Sequence, residues 1–372
     1  MSLVNIIIIL GIAQGFFFGI ILLTIKRGNR RANQVMGLLL ILFAYSITPM
    51  IFIKTGFYFT YPHLFKTAHP LLFLFGPLFL LYTKILTDQD FHFKWIYLLH
   101  LTPFVLFVIY LIPVYTLSAD NKIKFIQNTL GGSFKFERII TPIQIIHLFI
   151  YMYVVNRVVA RHTQNIKRSF SSIEKINLDW LKNGVWGFAS VFAIMAILIL
   201  IQLLFYPVIA NHGGEILAII VALVIYYIGY KGLYQPEIFT GTDESEPVVK
   251  YEKSTLDNEK ATEYKEKLLT FMTSEKPYLD SLLTIKDLGQ KITIPSYHLS
   301  QIINENFRQN FFDFINSYRI EEAKRQLHDP KNNHISIQGI AFEVGFNSKS
   351  AFNNAFKKYT DMTPSEFRSN KK

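Results

Sequence analysis

Seven apolar runs separated by short polar or basic stretches occupy the first 230 residues, and they leave this chain few ways to fold. The first, Leu3 to Ile25, is almost unbroken and long enough to cross a bilayer core of about 30 Å at roughly 1.5 Å per residue. The others fall at about Val35–Ile53, Ala68–Thr87, Ile96–Tyr115, Ile139–Ala160, Gly184–Tyr206 and Glu215–Tyr230. A backbone in hydrocarbon must satisfy its own hydrogen bonds, so each run is expected to be a helix. Lys26, Arg27, Arg30 and Arg31 follow the first run instead of preceding it, the reverse of a secretory signal, so this segment is expected to remain as an uncleaved span. Pro77, Pro103 and Pro113 are expected to kink their helices.

The net charge of +11 suggests nucleic-acid binding until it is localised. Residues 1–240 hold 19 Lys and Arg against 8 Asp and Glu, whereas residues 241–372 hold 19 against 19, so the basic excess belongs to the apolar half. It reads there as a topology signal. Loops after spans one, three and five, with the exit of span seven, carry 13 Lys and Arg, and the remaining loops carry 6. The positive-inside rule then puts the N-terminus outside and the C-terminus in the cytoplasm of a bacterial inner membrane. Trp95, Trp180 and Trp186, with Tyr226, Tyr227 and Tyr230, fit an inner aromatic belt. The chain has no cysteine, which excludes disulfides, thiol nucleophiles and Cys-ligated zinc.

Within the spans, Gly11, Gly15 and Gly19 form a GxxxGxxxG face. It suits packing against another span of the same chain first and a homodimer seam second. Gln144, His147 and Gln202 are polar groups at mid-membrane depth, where they serve as interhelical hydrogen bonds or as a ligand or proton site. His63, His69 and His212 lack metal-ligand spacing, and no metal or other cofactor is expected. The basic, Ser-rich stretch from Arg157 to Asn183 reads either as an ordinary inner loop or as an amphipathic segment on the lipid surface.

After Tyr234 the composition turns polar and acidic, so residues 1–233 are assigned to a membrane domain, 234–258 to a flexible linker and 259–372 to a cytoplasmic domain. In that domain the apolar period predicts a helix over Glu259–Met272, then two helix-turn-helix units. In the first, Leu283–Ile292 leads through Thr293-Ile294-Pro295 to a helix capped by Ser296 and ending near Asn306. Leu299, Ile302 and Ile303 should face inward, leaving Tyr297, Ser300, Gln301 and Asn304 outward. In the second, Ile337, Ile340, Ala341 and Val344 precede Gly345, and Phe352, Ala355, Phe356 and Tyr359 resume the period. Between those positions lie Ser348, Lys349, Ser350, Asn353, Asn354 and Lys357, a hydrogen-bonding and cationic face without an acid that suits a major groove.

The second unit resembles the AraC/XylS family in Ile340-Ala341, Gly345-Phe346, Ser348, Ser350, Phe352, Phe356-Lys357-Lys358 and Thr363-Pro364. It departs at Gly339, Asn354 and Asp361, where Asp, Arg and Gly are common. The first unit resembles the same family in the stretch from Pro295 to Gln301 and in Asn310–Ile315, Tyr318-Arg319 and Ala323-Lys324, with Gln301 where Arg is often found. The resemblance covers residues 259–370 and implies one long helix joining the two units. It also implies two reading helices that enter successive major grooves about 34 Å apart. The candidate DNA-contacting set is Ser296, Tyr297, Ser300, Gln301, Asn304, Ser348, Lys349, Ser350, Asn353 and Asn354, with Lys357, Lys358 and Arg368 as phosphate contacts. Amides at Gln301 and Asn354 would favour adenine over guanine.

The expected whole is all-α: a seven-helix transmembrane bundle followed by a cytoplasmic AraC-type domain with two helix-turn-helix units. The expected function is sequence-specific regulation of transcription from the membrane, without catalysis. Expected partners are double-stranded DNA with a bipartite promoter site, the lipid bilayer, a second copy of the chain, and a small-molecule or envelope signal. RNA polymerase joins them if the protein is an activator. The alternative is a membrane receptor or transporter whose tail is a protein-interaction module that does not bind DNA.

Overall fold

The structure is a computed structural model that describes residues 3–26, 28–88, 90–130, 137–174, 176–205, 213–234 and 256–370. These residues are almost entirely helical, and among them no strand forms beyond one isolated β-bridge. They divide into two compact units, residues 1–160 with 178–245, and residues 161–177 with 246–372.

In the first unit the apolar runs become α1 (Leu3–Thr24), α2 (Arg30–Lys54), α4 (Leu72–Thr87), α5 (Thr102–Tyr115), α7 (Glu137–Ser169), α8 (Asp179–Phe205) and α9 (Gly213–Tyr234). One-turn α3 (Phe57–Thr60) and amphipathic α6 (Ala119–Leu130) lie between them. Five helical segments are long and apolar enough to cross a membrane by length and composition: Leu3–Thr24, Arg30–Lys54, Pro62–Thr87, Trp95–Tyr115 and Ile140–Ser169. Ala218–Ile228 in α9 is a shorter apolar stretch. Two of these segments begin as 3-10 turns, His69–Leu71 before α4 and Trp95–Leu101 before α5. Pro77 and Pro113 fall inside their helices, but Pro103 occupies the first turn of α5, where a missing N–H costs nothing and no kink is required. Sequence periodicity missed α6, because it is polar on most of its surface and buries only Lys122 and Ile126.

The glycine face of α1 is filled from within the chain. A Cβ on Gly11 would lie 2.6 Å from the Cβ of Ala222 on α9, and one on Gly15 would lie 2.8 Å from that of Ala44 on α2. At Gly19 the same test meets Ile41 Cγ1 at 2.6 Å and the Gly37 carbonyl at 2.9 Å. Absent side chains let three helices approach backbone to backbone, the use this motif has in lipid. In the structure this face is occupied by residues of α2 and α9 of the same chain.

The second unit contains α10 (Asn258–Ser274), α11 (Ile285–Ile292), α12 (Ser296–Phe307), α13 (Phe311–His328), α14 (Ile337–Glu343), α15 (Lys349–Thr360) and α16 (Pro364–Ser369). Its two cores share α13. Phe311, Phe314 and Ile315 pack into the core of α10 to α12, whereas Ile320, Ala323 and Leu327 pack into the core of α14 to α16. One rigid helix therefore fixes both units, as the long connector implied.

Candidate nucleic-acid interface

Local chemistry sets each reading helix. Thr284 caps α11 in a reciprocal box with Asp287, and Thr293 turns the chain with φ near 60°. The expected cap of α12 is corrected here: Pro295 holds the N-cap position and Ser296 is the first helical residue, because the Pro295 carbonyl accepts from the amides of His298 and Leu299. Leu299, Ile302 and Ile303 are fully buried. Tyr297, Ser300 and Gln301 are half-buried and Asn304 is exposed. Gln301 does not stand free: its Nε2 donates to Glu305 Oε1 at 3.1 Å.

In the second unit Ser336 caps α14 by accepting from Gly339 N, and Gly345 makes the turn with φ of 93°. Ser348 then caps α15, its Oγ accepting from Ala351 N at 3.1 Å. It therefore positions the helix, and its hydroxyl is engaged before any base arrives. Lys349, Ser350, Asn354 and Lys357 are exposed and Asn353 is half-buried. Phe352 and Phe356 anchor the opposite face at 0 % exposure. Asp361, the departure from glycine, ends α15 at φ 59°, a left-handed position that glycine fills without strain.

The three cations proposed for phosphate differ in their surroundings. Lys357 is exposed on α15. Lys358 is also exposed, but its Nζ lies 2.6 Å from Asp313 Oδ1, so its charge is already paired. Arg368 donates through Nη1 to the Ile335 carbonyl at 2.9 Å, while its buried Nε and Nη2 meet no hydrogen-bond partner among the described residues. It lines a notch shared by Ser336, Gln338, Lys349, Asn353 and Ser365, two cations and several neutral donors with no acid. Such a lining suits an anionic oxygen. Ser336, Gln338 and Ser365 had no signal in the periodicity, since it is the packing of α16 against α14 and α15 that brings them beside Arg368.

Of the three polar residues expected at mid-membrane depth, Gln144 and His147 are described, and their contacts differ. Gln144 is buried on α7 and donates through Nε2 to the His69 carbonyl at 3.0 Å, an interhelical hydrogen bond. His147 packs against the rings of Phe73 and Tyr151, and neither ring nitrogen meets a hydrogen-bond partner among the described residues. The side chain of Gln202 lies outside the described residues, as does the linker over 235–255. The same unit has an apolar cavity of about 280 Å³ lined by Met36, Phe79, Trp180, Leu223, Val224 and Tyr227.

The family match falls in the second unit. Residues 288–370 match the family described as "Helix-turn-helix domain". They form an AraC-type helix-turn-helix domain. Over 88 residues the chain is 31 % identical to the Msm operon regulatory protein of Streptococcus mutans, covering 24 % of this chain and 31 % of that protein. It is 35 % identical over 75 residues to the uncharacterized transcriptional regulatory protein YesN of Bacillus subtilis, covering 20 % of each. The C-terminal domain of the response regulator yesN from Fusobacterium nucleatum is 32 % identical with a TM-score of 0.25, covering 28 % of this chain and 98 % of that one. The chain thus spans under a third of the length of these full-length relatives.

Proposed function

We propose that the chain is a membrane-anchored transcriptional regulator whose second unit binds a bipartite promoter site. The observation that carries this reading is the pair of helices α12 and α15, each presenting hydroxyl, amide or cationic groups outward and both held by α13. Sequence is read by Tyr297, Ser300, Gln301, Asn304, Lys349, Ser350, Asn353 and Asn354, while Lys357 and Arg368 hold phosphates. Because Gln301 shares its amide with Glu305, adenine reading rests chiefly on Asn354.

The membrane unit anchors the protein in the bacterial inner membrane with the N-terminus outside. Residues 161–177 and the C-terminal domain belong to one compact unit, which supports a path in which the chain between them leaves and returns on the same side. α8 and α9 therefore cross as a pair, giving seven spans with the five described above. Signals reach the DNA through this unit, and its apolar cavity accommodates an apolar ligand better than a charged one. A homodimer, if formed, uses another face than the glycines of α1, and RNA polymerase is a partner only if binding activates.

A second reading, a tail that binds protein and not DNA, draws support from the 19 to 19 charge balance of residues 241–372 and from the pairing of Lys358. Full-length protein in nanodiscs, tested against genomic promoter fragments, separates the two. The regulator reading expects binding whose logarithm falls linearly with that of salt, and Lys349→Ala and Asn353→Ala should weaken specific sites more than random DNA. No binding, or salt-independent binding, would refute it. Lys357→Ala should shallow the salt slope by about one, and Lys358→Ala by less because Asp313 neutralises it.

A further inference from the structure

The stretch between α7 and α8, which the sequence leaves open as an ordinary inner loop or an amphipathic segment on lipid, is built into the helix-turn-helix unit. α7 continues unbroken to Ser169, and from Arg161 to Asn177 the chain belongs to the second unit. Phe170 then pairs with Thr284 in an antiparallel bridge, and Ser171 N donates to the Leu283 carbonyl at 3.1 Å, so the strap adds a short rung at the entry to α11. Ser171 is only 1 % exposed.

The strap also meets α13 and the second unit. Arg319, itself 1 % exposed, donates through Nη1 to the Ser171 carbonyl at 2.9 Å and through Nη2 to Ser171 Oγ at 3.1 Å. Its other donors go to the carbonyls of Tyr278 at 2.7 Å and Asp280 at 2.8 Å and to Asn316 Oδ1 at 3.2 Å. Burial pulls the Arg319 guanidinium down to about 10, against the attraction of Glu174 and Asp280, so it remains a cation at neutral pH. Asn347, in the turn before α15, donates to Ser172 Oγ at 2.8 Å and to the Ser281 carbonyl at 3.3 Å. Lys167 lies over the Phe312 ring at 5.4 Å.

A buried cation tolerates its site only while its donors are satisfied, and Ser171 supplies two of the acceptors. Arg319 stands on α13 between the residues serving the first core and those serving the second. The partners named above, Leu283, Thr284, Phe312, Arg319 and Asn347, belong to both helix-turn-helix units and to the connector, and none is in the reading set.

We infer that residues 170–172 are a docked strap that clamps the two helix-turn-helix units in the arrangement that reads a bipartite site, and that α7 holds this clamp. The inference rests on the DNA-binding reading. It gives the membrane unit a second covalent route to the reader besides the linker, because any movement of α7 pulls on the segment that completes Arg319.

Full-length protein in nanodiscs carries the test. Ser171→Pro removes the amide that donates to Leu283 and the hydroxyl that accepts from Arg319 Nη2, and the pair Ser172→Cys with Asn347→Cys allows the strap to be tied down in a chain without other cysteines. Ser171→Pro should weaken binding to a two-half-site promoter by about tenfold or more, the factor carried by one charge-assisted hydrogen bond, with single half-sites changing less than about threefold. It should also speed hydrogen exchange of amides at 283–287 and 345–349. The cysteine pair should oxidise in membranes without DNA and keep wild-type affinity, and oxidising it in the Ser171→Pro background should restore protection and affinity. The oxidised and reduced forms of one sample exclude misfolding as the cause of the loss. Unchanged affinity and exchange in Ser171→Pro, a pair that does not oxidise, or an oxidised form that binds DNA worse than the reduced one would overturn the clamp. Wild-type protein that binds no DNA would refute the regulator reading instead, and exchange and cross-linking would still decide whether the strap is docked.

Discussion

Gly345→Ala is the substitution whose cost can be worked most fully from the geometry. Two effects add at this position. The backbone has φ of 93°, where any Cβ is strained, at about 1 to 2 kcal/mol. The new methyl would also lie 2.5 Å from the Tyr278 carbonyl oxygen, 2.9 Å from that of Leu279 and 3.0 Å from Arg319 Nε. None of these can yield cheaply, because the Tyr278 carbonyl is the acceptor for Arg319 Nε at 2.7 Å. Disturbing that charge-assisted bond adds about 1.5 to 3 kcal/mol. The sum is about 2.5 to 5 kcal/mol, a large part of the roughly 5 to 15 kcal/mol that holds a domain together. Trp95, Trp180 and Trp186 all lie outside the helix-turn-helix domain, so tryptophan fluorescence would not report on it. Hydrogen exchange of amides in α11 to α15 of the full-length protein is the suitable assay. Gly56→Ala, followed by exchange in α2 and α3 of its own unit, is the control: φ is also positive there, at 69°, but the nearest neighbour of the new Cβ is Phe59 Cδ2 at 3.7 Å, leaving only the torsional cost. A loss below about 1 kcal/mol at Gly345, or equal losses at both positions, would refute the reasoning.

Three further outcomes follow from individual residues. Asp361→Gly should stabilise the second helix-turn-helix unit by about 1 kcal/mol by relieving φ of 59° at the end of α15, as read from denaturant midpoints. Gly19→Val should disrupt the α1 and α2 packing, since its Cβ would lie 2.6 Å from Ile41 Cγ1, and should lower thermal stability of the first unit while leaving exchange in α11 to α15 unchanged. His298 packs against Tyr264 and Tyr297, and its pKa is lowered by burial and then by Lys260. The unfolded chain therefore binds its proton more readily than the folded one, so domain stability should be full above the ordinary histidine value of about 6.5 and decline as pH falls through it, a decline His298→Gln should flatten.

Much of the helix-turn-helix domain was legible in the sequence because its determinants are local. Apolar residues at helical spacing fixed the inward faces of α12 and α15, and Leu299, Ile302, Ile303, Phe352 and Phe356 are all buried as expected. Short-range signals also marked the turn at Gly345 and the Thr363-Pro364 start of α16, where Thr363 and Glu366 complete a capping box. The apolar runs likewise announced long helices, since lipid admits little else. What periodicity could not reveal is which groups meet across the chain. Lys358 looks like Lys357 until Asp313 is found beside it, and Gly11, Gly15 and Gly19 announce a close approach without naming α2 and α9 as its partners. Arg319 falls in the family-like Tyr318-Arg319 pair, but nothing in the sequence pairs it with Ser171, 148 positions earlier, which supplies two of the acceptors that let it be buried. Helix formation and capping are decided within a few residues, so the sequence alone determined them. Burial of a charge depends on acceptors that only the folded chain brings together, and tertiary structure alone decided that the strap belongs to the reader.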